Sequence, residues 1–384
     1  MTYIRSAAPA AAIAAALAAA AAAPADARQL NFAIGHPPVS FLVQGAQMAA
    51  DRFAGETGGD MSIKVFPLSL LSMAETPGGL RDGLADVGTV MTPYFPNAFP
   101  HTNLVVESSM LLETLGDDIP NQGVAFTAAV TEFLFTACPE CNAEFAAENQ
   151  VFTGGAGTPP YVLNCTSQVT TMEELSGARL RIGGANWARW SEAVGAVPVT
   201  MSGNEMLEAL NQGVLDCIIL STPDIYNFGM GGAVAHITKG APGGAYFASV
   251  SNVNRDTWTD MTADQRRAFL KAMAYGNAWT AHRYQAAEAE VEAAAQAKGV
   301  EIHQADAGVR AATAEFIAAD IDAMVADFAE AYGVSRGDEM LAAFRGMLAK
   351  WVEATAGIDD PEALGDLFWS EIYAKVDPET HGLR

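Results

Sequence analysis

Two kinds of residue in this chain could do chemistry by their type and spacing: four cysteines, and an arginine set in an apolar run. Cys138-Pro-Glu-Cys141 has the C-x-x-C spacing of a redox dithiol or of half a zinc site. A strong zinc signal would need a second such pair, and Cys165 and Cys217 stand alone. No helix follows in the βαβ setting of a thioredoxin site. Structural disulfides in an oxidising compartment are therefore expected, with three connectivities open. A thiol oxidoreductase using Cys138 and Cys141 is the lesser alternative. The six histidines, His36, His101, His236, His282, His303 and His381, are scattered and form no H-E-x-x-H. There is no G-x-S-x-G and no P-loop, so neither an enzyme nor a cofactor or metal is expected.

The arginine lies in "ARLRIGG", which reads as a strand. A charge inside an apolar strand must be paired or must face a cavity, because an unpaired buried charge is very costly. A salt bridge would be the structural explanation for Arg181. The functional one is a carboxylate clamp, since the planar guanidinium matches a carboxylate with paired donors. Gly183 and Gly184 would let a ligand or backbone approach closely. Arg179, nearer the strand start, reads as solvated or ion-paired.

The elements that must position Arg181 follow from periodicity. "QLNFAIGH", "MSIKVFP" and "DVGTVMTPYF" read as strands, separated by the helices "VSFLVQGAQMAADRFAGETGG" and "ETPGGLRDGLA". This β-α-β-α-β order predicts a parallel sheet with right-handed crossovers. After the helix "IPNQGVAFTAAVTEFLF" the pattern restarts at "PPYVLNCTS" and runs through "ARLRIGG", "AVPVTM" and "VLDCIIL". Ser202 with Glu205 reads as a capping box, as does Thr262 with Gln265. "GAYFASVSN" reads as a strand returning to the first unit. From Thr262 a helical period continues to about Lys298, roughly 54 Å of helix at about 1.5 Å per residue, long enough to span both units. Helices fill the rest. The expected fold class is α/β with two lobes, hinge strands and a long helix spanning both. The expected lobes are 28–158 with 246–285, and 159–245 with 286–384 including the C-terminal helices. Such lobes enclose a cleft, and α/β units bind ligands beyond the carboxyl ends of their strands.

Of 384 residues, 45 are acidic and 21 are Lys or Arg, a net charge of −24. That argues against nucleic acid and anionic membrane surfaces as partners. The N-terminus, with Arg5, an Ala-rich run and Ala25-Asp26-Ala27, reads as a signal peptide over residues 1–27, cleaved after Ala27. Export, most simply to a bacterial periplasm, is the expectation.

The stretch "LSGARLRIGGANWARWSEAVGAVPVTMSGNEMLEALNQGVLDC" resembles the periplasmic substrate-binding proteins of TRAP (tripartite ATP-independent periplasmic) transporters, of the dicarboxylate-binding-protein type. The matching residues are Leu175, Gly177, Arg179 in place of Lys, Arg181, Gly195, Ala196, Pro198, Val199, Met201, Glu205, Gly213 and Asp216. "FAIGHPP" and "GDMSIKVFPLSLLSMAETPGGLRDGLADVGTV", with Gly83 and Asp86, fit as well, so the resemblance covers about residues 29 to 305. It implies a periplasmic binding-protein fold and an extracytoplasmic solute-binding protein serving a TRAP-type secondary transporter; a sensory receptor subunit is the alternative. It also implies that Arg181 holds the substrate carboxylate. The family's second arginine, expected near Tyr161, is absent, Cys217 replaces a glycine and Leu220 an asparagine. The ligand expected is therefore a small carboxylate with one acid group and a zwitterionic or aromatic body. Tyr161, Trp187, Tyr94, Tyr226, Asn164 and Phe228 are the other candidate contacts, with Glu75 available to pair an amine.

Overall fold

A computed structural model of the chain describes residues 28–116 and 119–383. The signal segment expected over 1–27 lies outside the described residues. The first unit runs β1 (Arg28–Ile34), α1 (Phe41–Glu56), β2 (Met61–Pro67), α2 (Thr76–Arg81) and β3 (Val87–Val90). Helices α3 (Pro100–Glu107), α4 (Gln122–Thr136) and α5 (Pro139–Ala147) follow, then the short β4 (Gln150–Val151). The chain crosses over in β5 (Ala156–Cys165). The second unit is α6 (Met172–Leu175), β6 (Arg179–Ile182), α7 (Ala185–Ala193), β7 (Val197–Thr200), α8 (Met206–Asn211), β8 (Cys217–Leu220) and α9 (Asp224–Asn227). The chain returns in β9 (His236–Asn254), and α10 (Arg255–Asp260), α11 (Ala263–Gln296), β10 (Glu301–Gln304), α12 (Ala307–Tyr332), α13 (Gly337–Thr355) and α14 (Pro361–Glu371) complete it.

The strands order as β2-β1-β3-β9-β5-β8-β6-β7, with β4 and β10 paired to β9. Within each unit the pairing is parallel, as the alternation of strands and helices requires. The two crossing strands are antiparallel to β3, β4 and β8 and to each other, while β10 pairs in parallel with β9, so the sheet is mixed where an all-parallel one is expected. Strand β9 is 19 residues long and nearly all buried. Its carboxyl half completes the first unit beside β3, and its amino half pairs with β5.

The two units repeat one local design. Ser72, Glu75, Leu80, Gly83 and Asp86 match Ser202, Glu205, Leu210, Gly213 and Asp216. In each, the glutamate carboxylate accepts the serine backbone N–H and fastens the start of a six-residue helix. In each, the glycine ends that helix at positive φ (76° and 69°), where a side chain would be strained. The aspartate then accepts a backbone N–H from the first strand of its unit, Asn31 or Arg179. Helix α8 therefore starts after Glu205; Ser202 gives its backbone N–H to the Glu205 carboxylate, and its hydroxyl accepts the Asn204 N–H (3.4 Å) rather than one inside the helix. The box of Thr262 and Gln265 is complete in both directions.

Helix α11 has 34 residues, about 51 Å at about 1.5 Å per residue. Near its middle Gly276 packs on α1, where an added methyl would come within 2.7 Å of the Ala49 Cβ. Nearer its end Glu288 and Glu292 hold Lys239 of β9. Helix α13 lies on α4 and α14 on α11. The cysteines form two disulfides, Cys138–Cys141 and Cys165–Cys217, the second joining registered partners of β5 and β8. Among the described residues no single helix is long and apolar enough to cross a membrane.

Candidate functional site

Strand β6 is central in its unit, so Arg181 is flanked by Val199 of β7 and Ile218 of β8. The residue is 2% exposed, yet among the described residues no carboxylate comes within 4 Å of it. Nε and Nη2 donate to the Met201 carbonyl (3.2 and 3.1 Å), and Nη2 also donates to the Tyr94 hydroxyl (2.7 Å). Every such partner is neutral. Nη1 makes no hydrogen bond to the described residues and lies 3.1 Å from where a Cβ on Gly183 would sit, so that position has little room for a side chain. Arg179, two residues earlier, takes the carboxylate instead: Asp216 accepts its Nε (2.9 Å) and Nη2 (2.7 Å). That pairing holds the Asp216 carboxyl below its usual range.

Arg181 faces a small cavity between the two units, with about 30 Å³ of room for the centres of water-sized molecules. Tyr94, Tyr161, Tyr246 and Tyr284 line it, with His36, Asp224, Phe228, Leu220 and three methionines, Met73, Met91 and Met206. The Tyr94 hydroxyl accepts from both Arg181 and the Gly203 N–H (3.1 Å), which occupies its lone pairs and leaves its own proton to donate. Tyr161, Trp187 and Tyr246 form a near-parallel stack, with Tyr161 and Trp187 centroids 4.5 Å apart. Trp187 donates to the Gly243 carbonyl (2.9 Å) from behind Tyr161 and is not among the residues lining the cavity.

His36 is fully buried, and its Nδ1 has no partner among the described residues; the Tyr246 hydroxyl is likewise unpartnered. Burial pushes the His36 pKa down to about 3, so the ring is neutral. Asp224 is buried and accepts from Ser221 (2.6 Å), Asn227 (2.9 Å) and Tyr284 (2.8 Å). Burial raises its pKa against the pull of these three bonds.

Of the residues expected from sequence, the fold brings Arg181, Tyr94, Tyr161 and Phe228 to the cavity. Four do not line it: Trp187, which stands behind Tyr161, and three that lie elsewhere. Glu75 is exposed and accepts the Ser72 N–H and hydroxyl, a helix cap with no reach into the cleft. Tyr226 is half exposed and stacks on Phe41 at an outer groove. Asn164 is buried and donates to the Ile218 and Leu220 carbonyls, holding β5 to β8. Arg81 and Arg189, the other arginines that could have reached the cleft from helices, are held by Asp82 and Glu148 and by Asp320. His36, Tyr246 and Tyr284 escaped the sequence reading because they converge from three distant elements. The Gly35-His36 pair at the end of β1 was the available signal.

Bonds also cross the cleft. Asn204 donates to the Gly35 carbonyl (2.8 Å) and accepts the Met73 N–H (3.3 Å), and the Asn227 side-chain Oδ1 accepts the Phe41 N–H (3.1 Å). The cleft is closed.

A buried arginine with no carboxylate partner thus faces a closed cleft between two α/β units, the architecture of two-lobed periplasmic solute-binding proteins. Residues 156–327 match the family model of bacterial extracellular solute-binding protein, family 7. The resemblance to the TRAP solute-binding family is thereby borne out. Solved structures of this fold agree. The chain is 21% identical to a Bordetella pertussis extracytoplasmic solute receptor binding pyroglutamic acid (TM-score 0.68, covering 83% of this chain and 100% of that one). It is 21% identical to a TRAP solute-binding protein of Rhodoferax ferrireducens in complex with copurified benzoate (TM-score 0.71, 85% and 99%). A Bordetella bronchiseptica protein with bound (R)- and (S)-mandelate is 21% identical (TM-score 0.69, 84% and 99%).

Proposed function

We propose that this protein captures a small monocarboxylic acid in the interlobe cavity and delivers it to the membrane subunits of a TRAP-type transporter. The single observation that carries this reading is the Arg181 guanidinium, buried at the cavity with neutral partners only. Nη1 of Arg181 and the proton of Tyr94 are placed to meet one carboxylate. Gly183 lets it approach. The solved relatives named above hold pyroglutamic acid, benzoate and mandelate, each with one carboxyl group.

One acid group is favoured over two. In the repeated design of the two units, Ala33 occupies the place of Arg181, as its pairing with Gly88 parallels that of Arg181 with Ile218. The first lobe therefore brings no matching cation. A second carboxylate would meet Asp224, Leu220 and the aromatic walls without compensation, a cost of several kcal/mol. A flat apolar body suits Tyr161, Tyr246, Phe228 and the methionines. The unpartnered His36 Nδ1 and Tyr246 hydroxyl suit a ligand bearing a hydroxyl or an amide N–H.

The lobes proposed are those drawn from the sequence, with one adjustment: the packing of α13 on α4 and of α14 on α11 favours placing these helices against the first lobe. The burial of Cys138 and Cys141, at most 1% exposed, counts against dithiol catalysis. Residues 1–27 are proposed as the export signal, and N-terminal sequencing of the secreted protein should begin at Arg28.

Calorimetric titration tests the ligand assignment. Benzoate, mandelate or pyroglutamate should bind, and succinate and malate should bind far more weakly. Submicromolar succinate binding overturns the one-acid reading. Binding of a carboxylate to Arg181→Ala as tight as to the wild type overturns the clamp.

A further inference from the structure

Away from the cleft, three side chains converge at the outer pairing of β9 and β10. Glu301 and His236 are registered partners in this parallel pair, and His303 follows Glu301 by two residues. Strand alternation therefore puts His236, Glu301 and His303 on one face and the apolar Ile237 and Ile302 on the other. Both imidazoles are part-buried, with ring planes 25° apart. His236 Nδ1 and His303 Nε2 face each other at 3.1 Å, and a Glu301 oxygen lies 3.8 Å from the same His303 nitrogen. All three donor atoms fall within 4.8 Å of one another.

We infer that His236, His303 and Glu301 form a binding site for a divalent transition-metal ion of the zinc type. Two nitrogens bound tetrahedrally to zinc at about 2.0–2.1 Å stand about 3.3 Å apart. The two ring nitrogens already hold nearly that separation, in hydrogen-bond contact, and a metal would replace the proton they share. Glu301 is the most exposed of the three and has the freedom to close the remaining distance. Two imidazoles and one carboxylate suit zinc, copper or nickel and disfavour the hard ions calcium and magnesium. A water would complete the tetrahedron. The net charge of −24 raises the local concentration of cations. Both disulfides are closed, so no cysteine thiolate competes among the described residues. The site shares no residue with the cleft, so it stands or falls independently of the carboxylate pocket.

The test is calorimetry on tag-free, chelator-treated mature protein titrated with zinc chloride at pH 7.5. The expected result is one ion per chain, with affinity reduced at least tenfold in His303→Gln and in His236→Ala, and unchanged in His282→Ala. Zinc should raise the melting temperature of the wild type and not of His303→Gln. Copper(II) bound at one equivalent should show two equatorial nitrogens by electron paramagnetic resonance, a readout that does not depend on any variant folding. No binding, equal binding by the His303→Gln protein, or a copper spectrum without imidazole nitrogens overturns the site.

Discussion

Arg181 and Glu107 are the two buried charges whose behaviour most directly tests the site and its surroundings. A charge-assisted pair contributes about 1.5–3 kcal/mol, so Arg181→Ala should weaken carboxylate binding roughly 10- to 150-fold, as calorimetry would read. Arg181→Lys should recover little, because one ammonium cannot keep the Met201 carbonyl and Tyr94 and also face the ligand. Glu107 at the end of α3 is buried 3.9 Å from Arg189, with the Ala185 and Asn186 N–H groups at the start of α7 turned towards it. Burial pushes its pKa from 4.5 up to about 7, against the partial pull of Arg189. Its folded pKa is raised, so the folded state holds the proton more tightly. The contribution is fully present below about pH 4.5 and is lost as pH rises through 7. Glu107→Gln should therefore gain on the wild type with rising pH, by up to about 3 kcal/mol above pH 7. Melting curves of both proteins from pH 4.5 to 8 measure the gap; a gap independent of pH would contradict it. Burial of His36 acts in the opposite direction, lowering stability as pH falls from 6.5 towards 3, and cancels in this comparison.

At the scale of elements, closure depends on a few bonds from α8 and α9 and the turns before them. Asn204 makes two of these, to Gly35 and Met73. At about 0.5–1.5 kcal/mol each, their loss in Asn204→Ala should lower ligand affinity about tenfold, mainly through faster release in stopped-flow experiments. Unchanged release would mean that the two bonds do not hold the cleft. The elements themselves were largely legible in the sequence. Alternation and glycine stops marked β1, β2, α1 and β6, and Arg181 stood out because charge rarely enters an apolar strand. Strand β9 was read only in its carboxyl part, since a strand buried on both faces has no alternation to show. Glu75 was misjudged for a different reason. Ser72-x-x-Glu75 carries the same capping spacing that identified Ser202 and Glu205, and a cap leaves the carboxylate occupied. The cavity's His36 and Tyr284 come from chain positions about 250 residues apart, and only the tertiary fold brings them together.

Across the whole molecule, the two disulfides close loops of very different length. By chain entropy the Cys165–Cys217 bridge, 52 residues apart, should contribute about 4 kcal/mol, and Cys138–Cys141, three apart, about 2 kcal/mol. Denaturant unfolding of the two double-serine variants should preserve that order, and the reverse order would contradict it. The length of β9 has a consequence for how the protein is made. The first lobe's sheet ends at β3 until the carboxyl half of β9 arrives to cover it, and that half ends at Asn254. Ribosomes and export machinery release a chain from its amino end, so about two thirds of the protein must emerge while an apolar sheet edge stands open. The earlier lobe in sequence is thus the later one to finish folding. A newborn chain of this protein must be shielded, by a chaperone or by rapid release, over the whole interval between Val90 and Asn254.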